Sequence, residues 1–256
     1  MDTLPGRRRE IELIRNHIRR RKSLHLYGPA GVGKSALIHY ILAHWEEMPN
    51  PPFPIYCRDS GTLREIILCI TRSLLGMFKH LKGLDKYQEP VELERRIDVE
   101  DENILNLRNI AYRYLKSGDF CVILDHLENV TPRIHSWVSA LHGCSSCITA
   151  SRPAWDLGDF NSFSGSLALW HAPKLKVENL GKDDAFILMQ SLYDSWMMNV
   201  SDRPGFFKDI YDISQGNPKM IETIFAKAKD KRYVHGGKLN LNLVVIDCRI
   251  DEVRMT

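Results

Sequence analysis

The 256-residue sequence has no run of roughly 20 apolar residues, the length a helix needs to cross a bilayer. Its opening, MDTLPGRRRE, lacks the apolar core of a secretory signal. The first absence argues against a membrane-spanning helix and the second against export, so the expected location is cytoplasmic, with no membrane partner. Cysteine is scarce: six are scattered along the chain, which fits reduced thiols and not a disulfide framework. Cys144 and Cys147 form the one C-x-x-C spacing, and the second ligand pair of a structural zinc site is missing. Charge of one sign is scarce too. The net +3 is too small to argue for nucleic acid by itself. An apolar fraction of 44% and a charged fraction of 26% are those of a globular chain, long enough for one large domain or two unequal ones.

One stretch organises the rest. Ser23 to Leu37 reads SLHLYGPAGVGKSAL and contains G-x-x-x-x-G-K-[ST] from Gly28 to Ser35. Leu24 to Tyr27 is a short apolar run, expected as a strand. Lys34, Leu37, Tyr40, Ile41 and Trp45 have the spacing of an amphipathic helix. Glycines between them let the loop turn so tightly that successive N–H groups converge at a helix N-terminus, where an anion is favoured. Pro29, Ala30, Gly31, Val32, Gly33 and Ala36 complete this phosphate cradle. Lys34 adds a full positive charge, and the Ser35 hydroxyl is the expected ligand of the accompanying Mg²⁺. The pattern, between the right elements, predicts binding of a nucleoside triphosphate.

The remaining elements follow in order. A helix with Ile11, Ile14 and Ile18 on one face precedes the loop and ends in Arg19-Arg-Arg-Lys22, either a solvated cap or a contact for nucleic acid or an acidic partner. Phe53 to Cys57 reads as a strand, and Thr62-x-x-Glu65 as a capping box opening the next helix. Lys79 to Glu102 reads as a charged, exposed insertion. Ile104 to Leu115 is expected as a helix stopped by Gly118. Phe120 to Leu124 is a continuous apolar run, as in a strand buried on both faces, and ends in Asp125. A carboxylate there faces the crevice where ligands of parallel sheets bind, so Asp125 is the second expected Mg²⁺ partner. Thr131-Pro132 opens another helix. Cys147 to Arg152 is a further strand, at whose end Thr149, Ser151 or Arg152 could sense a γ-phosphate, with a structural salt bridge as the rival role for Arg152. Leu175 to Val177 is a possible fifth strand. From Lys182 the pattern is helical, with Gly216-Asn-Pro218 stopping one helix and starting the next. In the tail, Leu239, Leu241, Leu243 and Val245 alternate, which predicts a strand.

This series of motifs resembles the AAA+ and STAND branch of P-loop ATPases over nearly the whole chain. Leu4-Pro5-Gly6-Arg7-Arg8-Arg9-Glu10 is similar to that branch's adenine-side motif, with Arg8 in place of its first Glu. Thr149-Ala-Ser-Arg152 resembles its sensor motif, one residue longer than usual, and Gly216-Asn-Pro218 its G-x-P motif. Lys219 stands where several members carry a sensor arginine. The resemblance implies an α/β fold, a three-layer P-loop NTPase sandwich with a parallel sheet ordered 5-1-4-3-2 and a small C-terminal helical lid. It implies segments at 1–22 (adenine side), 23–179 (core), 180–232 (lid) and 233–256 (strand-like tail). It also implies ATP and Mg²⁺ as cofactors, with Gly6, Arg7, Pro218 and Lys219 on the nucleotide.

One departure bears on catalysis. Members that hydrolyse ATP well carry an acid directly after the strand-end Asp, and here that residue is His126. A neutral imidazole can act as a general base, orient water, or do neither. Glu128 reaches the site only if the chain curls back after Leu124. The catalytic candidates are therefore Lys34, Asp125, His126, Glu128 and Arg152. The expected activity is slow ATP hydrolysis in a switch or motor whose output passes through a partner protein or a homo-oligomer, since little chain follows the lid. The alternatives are a DNA-associated ATPase of the transposition-helper type, using the basic clusters Arg7–Arg9, Arg19–Lys22 and Lys229–Arg232, and a nucleotide-gated scaffold without significant hydrolysis. A P-loop kinase of a small molecule is disfavoured, because no arginine-rich closure or acceptor pocket is legible.

Overall fold

A computed structural model describes residues 4–80, 99–155, 168–196, 200, 202–235 and 238–254. The chain forms two compact units: a core unit of Glu10–Gly28 with Lys34–Lys176, and a helical unit of Met1–Arg9, Pro29–Gly33 and Val177–Thr256.

The core unit is built on strands β1 (Leu24–Tyr27), β2 (Phe53–Cys57), β3 (Phe120–Leu124), β4 (Ser146–Ser151) and β5 (Lys174–Lys176). They form one parallel sheet in the order β2-β3-β4-β1-β5, the expected 5-1-4-3-2 read from the other edge. All five residues of β3 are buried, which is why its sequence is continuously apolar and does not alternate. Helices α1 (Arg8–Arg19), α2 (Lys34–Ala43), α3 (Leu63–His80), α4 (Ile104–Ser117), α5 (Pro132–His142) and the short α6 (Ala168–His171) accompany the sheet. The cap signals act as read. Thr62 N–H donates to Glu65 Oε2 at 2.9 Å and Glu65 N–H to Thr62 Oγ1 at 3.2 Å, a reciprocal capping box. Thr131 opens α5, where Pro132 takes the first turn, and Asn103, not singled out in the sequence, caps α4. The expected charged insertion lies mostly outside the described residues; at its start, α3 runs on to His80. The core beneath α3, α4 and α5 includes Ile66, Ile70, Tyr114, Phe120 and Val138, all essentially inaccessible.

The helical unit contains α7 (Lys182–Ser195), α8 (Arg203–Ser214) and α9 (Pro218–Ala228), packed around Phe206, Phe207, Ile221 and Phe225. Gly216 sits at φ +75°, and a Cβ there would come within 2.0 Å of the Leu180 carbonyl oxygen, so only glycine closes this turn. The tail differs from its expected strand. After a two-residue ladder between β6 (Val234–His235) and β7 (Lys238–Leu239), the chain forms helix α10 (Leu241–Arg254). Asn240 decides this: its Oδ1 accepts from Leu243 N–H, which starts a helix, and Val244 is then fully buried at a helical spacing from Leu241. The period-two pattern was coincidental, and Leu243 remains exposed.

Helix α5 carries His135, which is buried, and His142, which is partly buried, and burial pushes both imidazoles below their usual range, His142 to about 4. A group whose folded pKa is depressed contributes stability above its unfolded pKa of 6.5 and loses it as pH falls toward the folded value. The urea midpoint should therefore drop between pH 6.5 and about 4, and His142→Asn should make that drop shallower than in the parent. An identical pH profile for the two proteins would refute this role of His142.

Candidate functional site

Within the core unit, β1 leads to Gly28 and α2 starts at Lys34. Lys34 Nζ donates to the Gly28 carbonyl at 2.7 Å. Burial lowers the Lys34 pKa, while the negative charges of Glu128 and then Asp125 oppose that shift. Asp125 is 1% exposed at the end of β3. Its Oδ1 accepts from the His126 N–H at 2.9 Å, and its Oδ2 accepts from the Tyr56 hydroxyl at 3.4 Å. Burial and that carboxylate together push the Tyr56 phenol up to about 12. Ser35 Oγ and His126 Nε2 are 3.5 Å apart. The core unit thus brings Lys34, Ser35, Asp125, His126 and Glu128 together.

Glu128 arrives by the turn that the sequence left conditional. His126 adopts the left-handed conformation at φ +53°, and Leu127 N–H then donates to the Ala150 carbonyl on β4. Glu128 Oε2 in turn accepts from the Arg152 N–H at 3.1 Å, with Arg152 Nε 3.9 Å from Oε1. That side-chain pair is loose and Arg152 is 69% exposed, so it holds little energy on its own. Of the three residues considered as γ-phosphate sensors at the end of β4, Thr149 and Ser151 are buried and committed elsewhere. His25 on β1 lies 2.7 Å from Thr149 Oγ1 through Nδ1 and 3.1 Å from the Pro153 carbonyl through Nε2. A carbonyl only accepts, so in the neutral ring Nε2 carries the proton and Nδ1 accepts from Thr149. Neither His25 nor Tyr56 was singled out in the sequence. Parallel pairing of His25 with Thr149, and the place of Tyr56 at the carboxyl end of β2, are the signals that sheet order supplies.

Within the helical unit, the loop segment Pro29–Gly33 is held by its carbonyls. Asn217 Nδ2 donates to Ala30 O at 3.0 Å, Lys219 N–H to Gly31 O at 3.2 Å, and Arg7 Nη2 to Val32 O at 2.7 Å. Gly31 takes φ +78°, and a Cβ on it would meet Asn217 Oδ1 at 2.6 Å. Asn217 also caps α9, accepting from Met220 N–H. Pro218, expected on the nucleotide, occupies the first turn of α9. Gly6 packs its backbone against Asp184 at φ +67°. Arg7 is buried and spends Nη2 on two backbone carbonyls, Val32 O and Glu178 O, both at 2.7 Å.

The strand–glycine loop–helix unit and the order of the parallel sheet define a P-loop nucleotide-binding α/β protein. A model of the AAA ATPase domain matches residues 3–146, more than half of the chain, and the chain belongs to that family. No curated protein matches it in sequence. Among solved structures, the Walker-type ATPase PABY2304 of Pyrococcus abyssi superposes with a TM-score of 0.61 at 15% identity, over 97% of this chain and 75% of that one. The Aeropyrum pernix ORC1 protein, solved in complex with DNA, gives 0.65 at 12% identity over 98% and 66%. AMPPCP-bound DnaA from Aquifex aeolicus gives 0.54 at 15% over 88% and 62%. The chain thus spans less than two thirds of the length of the latter two. At these identities the likeness is one of fold.

The Arg7 guanidinium should be structural in its effect. Arg7→Ala leaves the buried Val32 carbonyl and the part-buried Glu178 carbonyl without this charged donor and should cost about 2–4 kcal/mol in urea unfolding, whereas Arg8→Ala at an exposed position should stay within about 0.5 kcal/mol. Equal, small losses at both positions would contradict the clamp.

Proposed function

We propose that the chain binds ATP with Mg²⁺ and hydrolyses it slowly, acting as a nucleotide-dependent switch for a partner protein or for its own assembly. The observation that carries this reading is the pair of carboxylates beside Lys34: Asp125 at the end of β3 and Glu128, returned to the same ammonium by the left-handed His126. Family membership supports the nucleotide, and the AMPPCP complex of the Aquifex aeolicus relative supports adenine as its base.

The donor set suits Mg²⁺. A hydroxyl (Ser35) and a carboxylate (Asp125) are hard oxygen ligands, and among the described residues no group of three or more His, Cys, Asp or Glu could cage a metal alone. Mg²⁺ is commonly held by one or two protein oxygens together with substrate phosphates and water. When bound, it neutralises charge on the phosphate oxygens. Lys34 offers its ammonium to the outer phosphates. Tyr56 and the His126 N–H fix the Asp125 carboxylate. Glu128, steadied by the Arg152 N–H, is the acid able to accept a proton from the attacking water, and His126 orients the Ser35 hydroxyl. Arg152, with its exposed guanidinium, is the sensor that remains free to meet a γ-phosphate, and Lys219 is the candidate for the second.

DNA association has weaker support. ORC1 of Aeropyrum pernix was solved with DNA, but in this chain Arg19 is paired with Glu12 and Arg21 with Asp119, which neutralises half of the Arg19–Lys22 run. Retention on DNA that weakens steeply with salt would favour that alternative.

Phosphate release and calorimetry test the roles. Lys34→Ala should abolish measurable ATP binding. Glu128→Gln should still bind ATP but release phosphate at least about 100-fold more slowly, while His126→Ala should stay within about tenfold of the parent. Should the His126 variant be the slower of the two, the base assignment falls; ATP bound equally well without Lys34 would remove the loop's role.

A further inference from the structure

A groove on the core unit lies away from these groups. Its walls are α4 and α5, with the first turns of α3 and α4 at its floor, and its volume is about 760 Å³. Leu105, Arg108 and Tyr112 stand on one face of α4, at positions i, i+3 and i+7. Arg133 and Trp137 line it from α5, and Ile67 from α3. Leu105 is 54% exposed and Tyr112 36%, large apolar side chains that the fold leaves in water at the rim. Trp137 is buried, yet its indole N–H, which can only donate, has no acceptor among the described residues. The lining includes two arginines and no carboxylate. Neither guanidinium has an ion-pair partner among the described residues.

We propose that this groove docks an acidic amphipathic helix of a partner protein. Charge complementarity sets the sign: glutamates or aspartates on the incoming helix meet Arg108 and Arg133. Apolar residues of that helix cover Leu105 and Tyr112. Length sets the form, because Leu105 to Tyr112 is about 10 Å along the axis, a span matched by two turns of a helix anchored at i, i+3, i+4 and i+7. A small carboxylate would answer the arginines but leave the rim in water, and a nucleic acid would leave the apolar floor uncovered. The proposal does not rest on the nucleotide reading, since all of its residues belong to α3, α4 and α5.

A helix-constrained peptide library selected on the full chain tests it. The expected winners carry an apolar stripe flanked by acidic residues. Their affinity, read by fluorescence anisotropy, should fall about tenfold or more on the Arg108→Glu/Arg133→Glu variant and return when the peptide's glutamates are replaced by lysine. Both arginines are exposed, so this variant keeps its fold, which circular dichroism verifies. Lys34→Ala should leave peptide affinity unchanged, which separates this proposal from the nucleotide reading. Any of four results overturns it: no peptide selected, basic or neutral winners, acidic winners indifferent to the charge reversal, or arginine-dependent occupation of the groove by an oligonucleotide, a small carboxylate or a second copy of the chain.

Discussion

The backbone leaves β3 at Leu124 and reverses within three residues, and the residue that makes this possible is His126 at φ +53°. A non-glycine side chain in the left-handed region costs of the order of 1 kcal/mol, and histidine is among the types that tolerate it. Three hydrogen bonds hold it there: His126 N–H to Asp125 Oδ1, Leu127 N–H to Ala150 O, and Glu128 N–H to His126 O. Leu127 is thereby buried in the core beside β4, and Glu128 is delivered to Arg152 and the field of Lys34. Without that turn, the residue after Asp125 would be the nearest candidate for acid–base work, and it is an imidazole. With it, the carboxylate of Glu128 becomes a second candidate beside the imidazole.

The glycine loop depends on a second constraint, which acts on its carbonyls. A loop whose N–H groups converge on an anion must turn its C=O groups outward, and each then needs a donor. Ala30, Gly31 and Val32 receive theirs from Asn217, the Lys219 N–H and Arg7. Three donors of different kinds fix three successive peptide planes, which is how a flexible glycine-rich segment is kept in one shape. Gly31 has no room for a Cβ because Asn217 must come this close.

Much of this was legible because it is local. The P-loop pattern, the buried run of β3, the Thr62–Glu65 capping box and the parallel sheet order all follow from spacing or from the family resemblance, and the structure carries them. What escaped depends on contacts distant in sequence or on a single dihedral. Glu128 was left conditional because no spacing rule announces a left-handed histidine. His25 sits in an apolar strand, and its meaning comes from Thr149, 124 residues away. Asn217 looked like a turn residue until its second hydrogen bond, to Ala30, supplied its other role. The tail went the other way: alternation over a few leucines suggested a strand, and one capping asparagine outweighed it. Arg7 matched an adenine-side motif but is buried on backbone carbonyls, a use that leaves no sequence signature.

The electrostatics around Lys34 explain why nucleotide binding and hydrolysis stand on different footings. Burial disfavours the ammonium, and the two carboxylates favour it, so they offset part of the fall that burial imposes on the Lys34 pKa. That arrangement serves binding regardless of which residue handles the proton of water. Hydrolysis asks more, because Glu128 is engaged by the Arg152 N–H and, more loosely, by its guanidinium. The same contact links the acid to Arg152, the exposed residue best able to turn toward a phosphate. A turn of Arg152 toward a phosphate would therefore also change the contacts of Glu128, which couples the two residues.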